Sequence, residues 1–98
     1  MEPVIDRLTT EGKVTMRYWA SARQAAGTDS EALDVPGAVS LAELIGRVRE
    51  AHGSPRFSEV LACCSVMVGD RPVTTQDAST VMVSPGATVE FLPPFAGG

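Results

Sequence analysis

The residues with most chemistry to offer stand at the end of the sequence, Phe91-Leu92-Pro93-Pro94-Phe95-Ala96-Gly97-Gly98. A free carboxylate such as that of Gly98 is a poor electrophile and reacts only after it is joined to an activating group such as adenylate. An enzyme pocket reaches it only along a thin chain, and Gly97 and Gly98, with Ala96 before them, leave little side chain to block a channel. Once adenylated, the acyl carbon can accept sulfur, and the resulting thiocarboxylate is a soft nucleophile able to attack an activated carbon. On this reading Gly98 carries the reaction, Gly97 and Ala96 serve channel entry, and no side chain acts as acid, base or nucleophile. Two other candidates are weaker. Cys63 and Cys64 are adjacent, so they cannot close the loop that staples a small secreted domain. As successive strand residues they would point to opposite faces, Cys64 into the core and Cys63 beside Ser65 and Met67. His52 is the only histidine and has no cysteine at ligand spacing, which reads as a surface histidine near a helix end and gives no metal site.

The elements that would position this tail can be followed along the chain. Residues 1–12 hold Val4, Ile5 and Leu8 without a sustained period and read as a loose extension. From Lys13 to Ala20, Val14, Met16 and Tyr18 alternate with Thr15, Arg17 and Trp19, the period of a half-buried strand. Ser21 to Ala26 is a short helix former stopped by Gly27, and Ser30 to Val35 is a weaker strand. Ser40 and Glu43 make a capping box with Val39 placed to staple onto Leu44, so a helix starts there. Its apolar stripe is Leu41, Leu44, Ile45 and Val48, Gly53 is its left-handed cap, and Gly46 inside it suggests close approach to a neighbour. Pro55 to Leu61 reads as one more helical turn, Cys63 to Val68 as a strand, Gly69-Asp70 as a hairpin turn and Thr80 to Val83 as a short strand. Ser84-Pro85-Gly86-Ala87 fits a type II turn that feeds a last strand, Ala87 to Leu92. Pro93-Pro94 then forces an extended exit, since proline has no amide to donate. Leu92 is out of phase with the inward residues Val89 and Phe91, and Phe95 lies past the sheet, so both are expected on a docking surface together with Pro93 and Pro94. Trp19 is left open between core and interface.

Composition sets the outer bounds. Ninety-eight residues make one domain with one core, and 44% hydrophobic with 20% charged residues is ordinary for a globular fold. Eight basic against twelve acidic residues leave a net charge of −4. That argues against nucleic acid, whose phosphates demand a basic patch, and suggests a basic groove on any protein partner. No apolar run approaches the ~20 residues that span a bilayer, and Met1 to Arg7 lacks the basic start of a secretory signal, so a cytoplasmic location is expected.

Two strands, an amphipathic helix and further strands ending in an exposed tail is the order of an α+β, ubiquitin-like β-grasp, with a mixed four- or five-stranded sheet and one main helix packed across it. Arg17-Tyr18-Trp19-Ala20-Ser21-Ala22-Arg23-Gln24-Ala25-Ala26-Gly27 resembles the aromatic-Ala-x-x-Arg-Glu-x-x-Gly opening of the MoaD/ThiS sulfur-carrier family, which includes the small subunit of molybdopterin synthase, and the end resembles its P-P-x-x-G-G tail. Trp19 replaces the usual Phe and Gln24 the usual Glu. The resemblance covers 17–98 and implies a sulfur-carrier domain over 13–98, tail 93–98, with its first and last strands parallel. It further implies that Gly98 is adenylated and thiolated, and that sulfur passes to the cyclic pyranopterin precursor of the molybdenum cofactor. The partners implied are a large catalytic subunit, a ubiquitin-activating-like adenylyltransferase that uses ATP, and a sulfur donor protein. The chain would not be an enzyme alone and would bind no cofactor stably. The alternatives are a carrier for thiamin, cysteine or another thiolated product, and a non-catalytic ubiquitin-like interaction module or modifier.

Overall fold

The structure is a computed structural model, and it describes residues 12–74 and 77–94. The expected extension before Lys13 therefore lies almost wholly outside the described residues, as do Phe95, Ala96, Gly97 and Gly98. The chain runs β1 (Lys13–Tyr18), α1 (Ala20–Ala26), β2 (Ser30–Asp34), β3 (Val39–Ser40), α2 (Leu41–His52), α3 (Pro55–Ala62), β4 (Ser65–Val68), β5 (Arg71–Val73), β6 (Met82–Val83) and β7 (Thr88–Leu92). Five strands form one mixed sheet in the order β2-β1-β7-β4-β5, and β3 with β6 makes a separate two-stranded ribbon. The fold is a β-grasp with helices packed across one face of the sheet.

Alternation determines which face is covered. Val14, Met16 and Tyr18 of β1, Val66 of β4, and Val89 and Phe91 of β7 are all buried, and they meet Ala22 of α1, Leu41, Leu44 and Val48 of α2, and Phe57 and Leu61 of α3 in one core. Ile45 packs against the edge of that core. The central pair is β1 and β7, parallel, with Met16 opposite Val89 and Tyr18 opposite Phe91. Parallel neighbours need a long crossover, and α1 to β6 supply it. At the start of α2, Ser40 Oγ accepts the Glu43 amide at 3.1 Å. At its end Gly53, at φ 63°, returns its N–H to the Arg49 carbonyl, as the sequence pattern requires. Gly86 at φ 92° completes the reversal into β7, with the Ala87 amide on the Ser84 carbonyl.

Several boundaries differ from the sequence expectation for local reasons. The turn expected at Pro55–Leu61 is an eight-residue helix, because Ser54 caps it by accepting the Phe57 amide at 3.2 Å and Pro55 starts it. Its length moves Cys63 out of the expected strand and onto the C-cap of α3, so β4 begins only at Ser65. The strand expected over Thr80–Val83 shortens to Met82–Val83 and pairs with β3, outside the main sheet. Gly46 makes no close approach: a Cβ built there would meet nothing within 4 Å. It faces a depression between α2 and α3 that Ala42, Arg49, Ser58 and Ala78 also line.

Two substitutions on α2 should therefore move stability in opposite directions. Leu44→Ala, at a fully buried site, is expected to cost about 2 to 5 kcal/mol in urea unfolding. Gly46→Ala should raise stability by about 1 kcal/mol, since the helix gains propensity without a clash. A destabilised Gly46→Ala variant would mean that the groove side of α2 is packed more tightly than described.

Candidate functional site

The tail leaves the sheet from its middle strand. At its last rungs β7 is held on both sides, with Phe91 opposite Tyr18 of β1 and Val66 of β4, and Leu92 opposite Ser65. The Trp19 amide adds a hydrogen bond to the Phe91 carbonyl at 3.2 Å. Pro93 and Pro94 follow with no amide to continue the ladder, so pairing stops there by covalent structure. The root of the tail is held by the sheet, and Pro93 and Pro94 lie outside the ladder.

Leu92, expected on a docking surface, lies on the face of β7 turned away from the helices and is partly exposed. That uncovered face holds a shallow open depression of ≈ 590 Å³ lined by Ser65, Met67, Pro72, Val73, Glu90 and Leu92. Trp19 is 41% exposed and belongs to this same side, because the Arg17 guanidinium stacks on its ring at 4.9 Å. The choice between core and interface thus falls to the surface. On the helix side a second depression, ≈ 260 Å³, lies where Pro93 and Pro94 pass Ser21, Glu59, Val60 and Cys63. Pro93, Pro94 and Leu92 are therefore together at the tail root, whereas Phe95, Ala96, Gly97 and Gly98 are outside the described residues. Between Trp19 and Ser21 the chain turns sharply at Ala20, a non-glycine residue at φ 50°, which costs of order 1 kcal/mol or more.

Beneath the tail root lies a cluster that the sequence reading missed. Glu31 Oε2 accepts from the Tyr18 hydroxyl at 2.5 Å and stands 2.7 Å from His52 Nε2. The Tyr18 ring stacks on Phe91 at 5.8 Å and meets Phe57 edge-on at 5.4 Å, and His52 lies against Phe57 at 4.3 Å. His52 is thus not the surface histidine expected: its side chain is only 18% exposed, because the end of α2 is laid over β2. Burial, reinforced by the Glu31 hydrogen bond and charge, pushes the Tyr18 hydroxyl well above its usual range, so it remains a neutral donor. Among the described residues no three His, Cys, Asp or Glu side chains gather to hold a metal ion, and no helix is long and apolar enough to cross a membrane. The cysteines have separate roles in packing. Cys64 is buried with Sγ donating to the Val60 carbonyl at 3.3 Å, and burial, then the neighbouring Cys63, push its thiol up to about 11. Cys63 is exposed.

Residues 16–98 match the model of the ThiS family. Over 92 residues the chain is 30% identical to a molybdopterin synthase sulfur carrier subunit from Aspergillus niger, covering 93% of this chain and all of that protein. Among solved structures, a putative molybdopterin converting factor subunit 1 from Pyrococcus furiosus is similar at TM-score 0.69 and 27% identity, covering 84% of this chain and 97% of that one. SAMP1, a small archaeal modifier protein from Haloferax volcanii, is similar at TM-score 0.72 and 20% identity over 89% of this chain and all of that one. A complex of subunits 1 and 2 of molybdopterin-converting factor from Helicobacter pylori is similar at TM-score 0.62 and 19% identity over 88% of this chain and 99% of that one. The last two likenesses concern the fold alone.

The placement of the cysteines predicts an unequal reaction with N-ethylmaleimide. At pH 8 the native chain should take one adduct, at Cys63, because Cys64 is covered and remains a protonated thiol at that pH. A second adduct should follow only on unfolding in urea, and two adducts at similar rates in the native state would contradict the burial of Cys64.

Proposed function

The chain belongs to the ThiS family, and from that premise we propose that it is the sulfur-carrier subunit of a molybdopterin synthase, the donor half of a sulfurtransferase complex and no enzyme on its own. The observation that carries the reading is the full-length similarity to a molybdopterin synthase sulfur carrier subunit, at 30% identity. The tail root supports it: a strand held on both sides delivers Pro93 and Pro94 out of the sheet toward Gly98. The modifier reading shares the shape, as the Haloferax volcanii structure has it too, but at 20% identity that likeness speaks for the fold.

In the proposed cycle the Gly98 carboxylate attacks the α-phosphorus of ATP in a ubiquitin-activating-like adenylyltransferase, and pyrophosphate leaves. A donor protein supplies the sulfur as hydrosulfide, released when a thiol reductant cleaves the S–S bond of its persulfide. The hydrosulfide attacks the acyl carbon, AMP leaves with the electron pair of the C–O bond, and the thiocarboxylate remains. A large catalytic subunit receives the charged tail, and the thiocarboxylate sulfur attacks an activated carbon of the cyclic pyranopterin precursor as an oxygen group leaves as water. Hydrolysis of the resulting thioester leaves the sulfur on the product and returns the Gly98 carboxylate, and a second charged carrier completes the dithiolene. This chain contributes position. Gly97 and Ala96 pass a narrow channel, Pro93 and Pro94 hold the approach extended, and Leu92 and Phe95 dock beside it. No cofactor is held stably, since ATP belongs to the activating partner, and the cycle is assigned to the cytoplasm.

Deleting Gly98, or adding one residue after it, should abolish ATP–pyrophosphate exchange with the adenylyltransferase and leave urea stability unchanged. Gly97→Val should act likewise by blocking the channel. If a chain ending at Gly97 exchanges and gains sulfur for oxygen by intact mass at the wild-type rate, the terminal carboxylate is not the carrier site. Phe95→Ala should weaken assembly with the large subunit by about 1 to 3 kcal/mol while the free chain melts normally. Equal affinity in a calorimetric titration would remove Phe95 from the interface.

A further inference from the structure

The depression on the helix side of the tail root lies on the opposite side of the sheet from Leu92 and Trp19. Proline at 93 and 94 ends pairing with β1 and β4, and the same break opens a gap between the departing chain and the helices behind it. The gap holds ≈ 260 Å³ and is lined by Ser21, Glu59, Val60, Cys63, Pro93 and Pro94. Val60 is half-buried and Cys63, Glu59 and Pro94 are exposed, and Glu59 is the one charged residue in a mostly apolar lining. Among the described residues Glu59 joins no ion pair.

A partner that swallows the end of this chain has to seal around its root, because water admitted there would compete for the acyl carbon. Contact with Leu92 and Trp19 closes only the uncovered face of the sheet. The gap on the opposite side would leave a solvent path along the same chain unless it too is filled. Its lining calls for an apolar side chain, Glu59 for a cation, and the acidic balance of the whole chain agrees with that sign.

We propose that the groove between α1, α3 and Pro93–Pro94 is the second half of the docking surface, filled in the complex by an apolar side chain of the large subunit with a basic residue beside it facing Glu59. The inference rests on the reading of the chain as a carrier that delivers its tail to such a subunit. The tail root is then clamped from both faces of the sheet, and Trp19 with Leu92 and Val60 with Cys63 form its two sides.

Cys63 is a native reporter for this groove, since its thiol lines the depression while Cys64 is buried. N-ethylmaleimide labelling of Cys63 is followed by peptide mass on the full uncharged chain, alone and in complex with the large subunit, so that no thiocarboxylate competes for the reagent. Thiolation by the activating enzyme is read separately by intact mass. Assembly should slow labelling of Cys63 by about tenfold or more, as expected for a side chain inside a closed interface. Glu59→Lys, an exposed site that leaves the free chain's melting unchanged, should raise the Kd about fivefold or more, with the loss growing as salt is lowered. A complex in which Cys63 labels at the free rate overturns the groove proposal while the carrier function stands, as formation of the thiocarboxylate shows independently. Protection of Cys63 with an unchanged Glu59→Lys affinity overturns the basic contact. Absence of both thiolation and a complex overturns the carrier reading and the groove with it.

Discussion

The parallel pairing of β1 with β7 is the constraint on which the rest of this structure depends. It joins the first strand of the domain to the last, so the intervening chain has to cross over the sheet, and it brings Met16, Tyr18, Val89 and Phe91 into the core. Every helix packs onto that pair or its antiparallel neighbours, β2 and β4. Because β7 is central it cannot slip without turning Val89 and Phe91 toward solvent, which fixes the position of the chain leaving it. A tail on an edge strand would have pairing on one side alone.

Stability and delivery meet in the aromatic cluster at that end of the sheet. Tyr18, Phe57, Phe91 and His52 pack through edge and stacked contacts, and Glu31 takes the polar atoms of Tyr18 and His52. No buried side-chain nitrogen or oxygen among the described residues lacks a partner, so the cluster stiffens the tail root without leaving a polar group unpaired. The ladder ends at Leu92, where proline removes the backbone donors.

The two faces of the sheet divide the work. One is covered by α1, α2 and α3 and supplies the core, while the other remains bare and carries Trp19, Met67 and Leu92 beside Arg17 and Glu90. The tail starts at the boundary between them, which allows contact with a partner on either side. Ala20 in the left-handed region is a local cost at the turn that starts α1 beside the tail.

Much of this was legible along the chain because it is decided within a few residues. Alternation named the buried side of β1 and β7, the Ser40–Glu43 box and Gly53 bounded α2, and Pro85-Gly86 called for the turn that the backbone makes. The closing Pro-Pro-Phe-Ala-Gly-Gly with the opening motif pointed to the family whose model matches residues 16–98. What depends on contacts between distant residues was not legible. His52 is half-buried because α2 ends over Glu31, twenty-one positions earlier. Cys63 caps a helix because α3, started by Ser54 and Pro55, runs one residue past Leu61 to Ala62 while Phe57 and Leu61 find the core. Gly46 faces open space because α3 stands too far off to touch it. The groove at the tail root is the clearest such case, since Ser21, Glu59, Cys63 and Pro93 become neighbours only when the parallel pair closes and places the exit of β7 between α1 and α3.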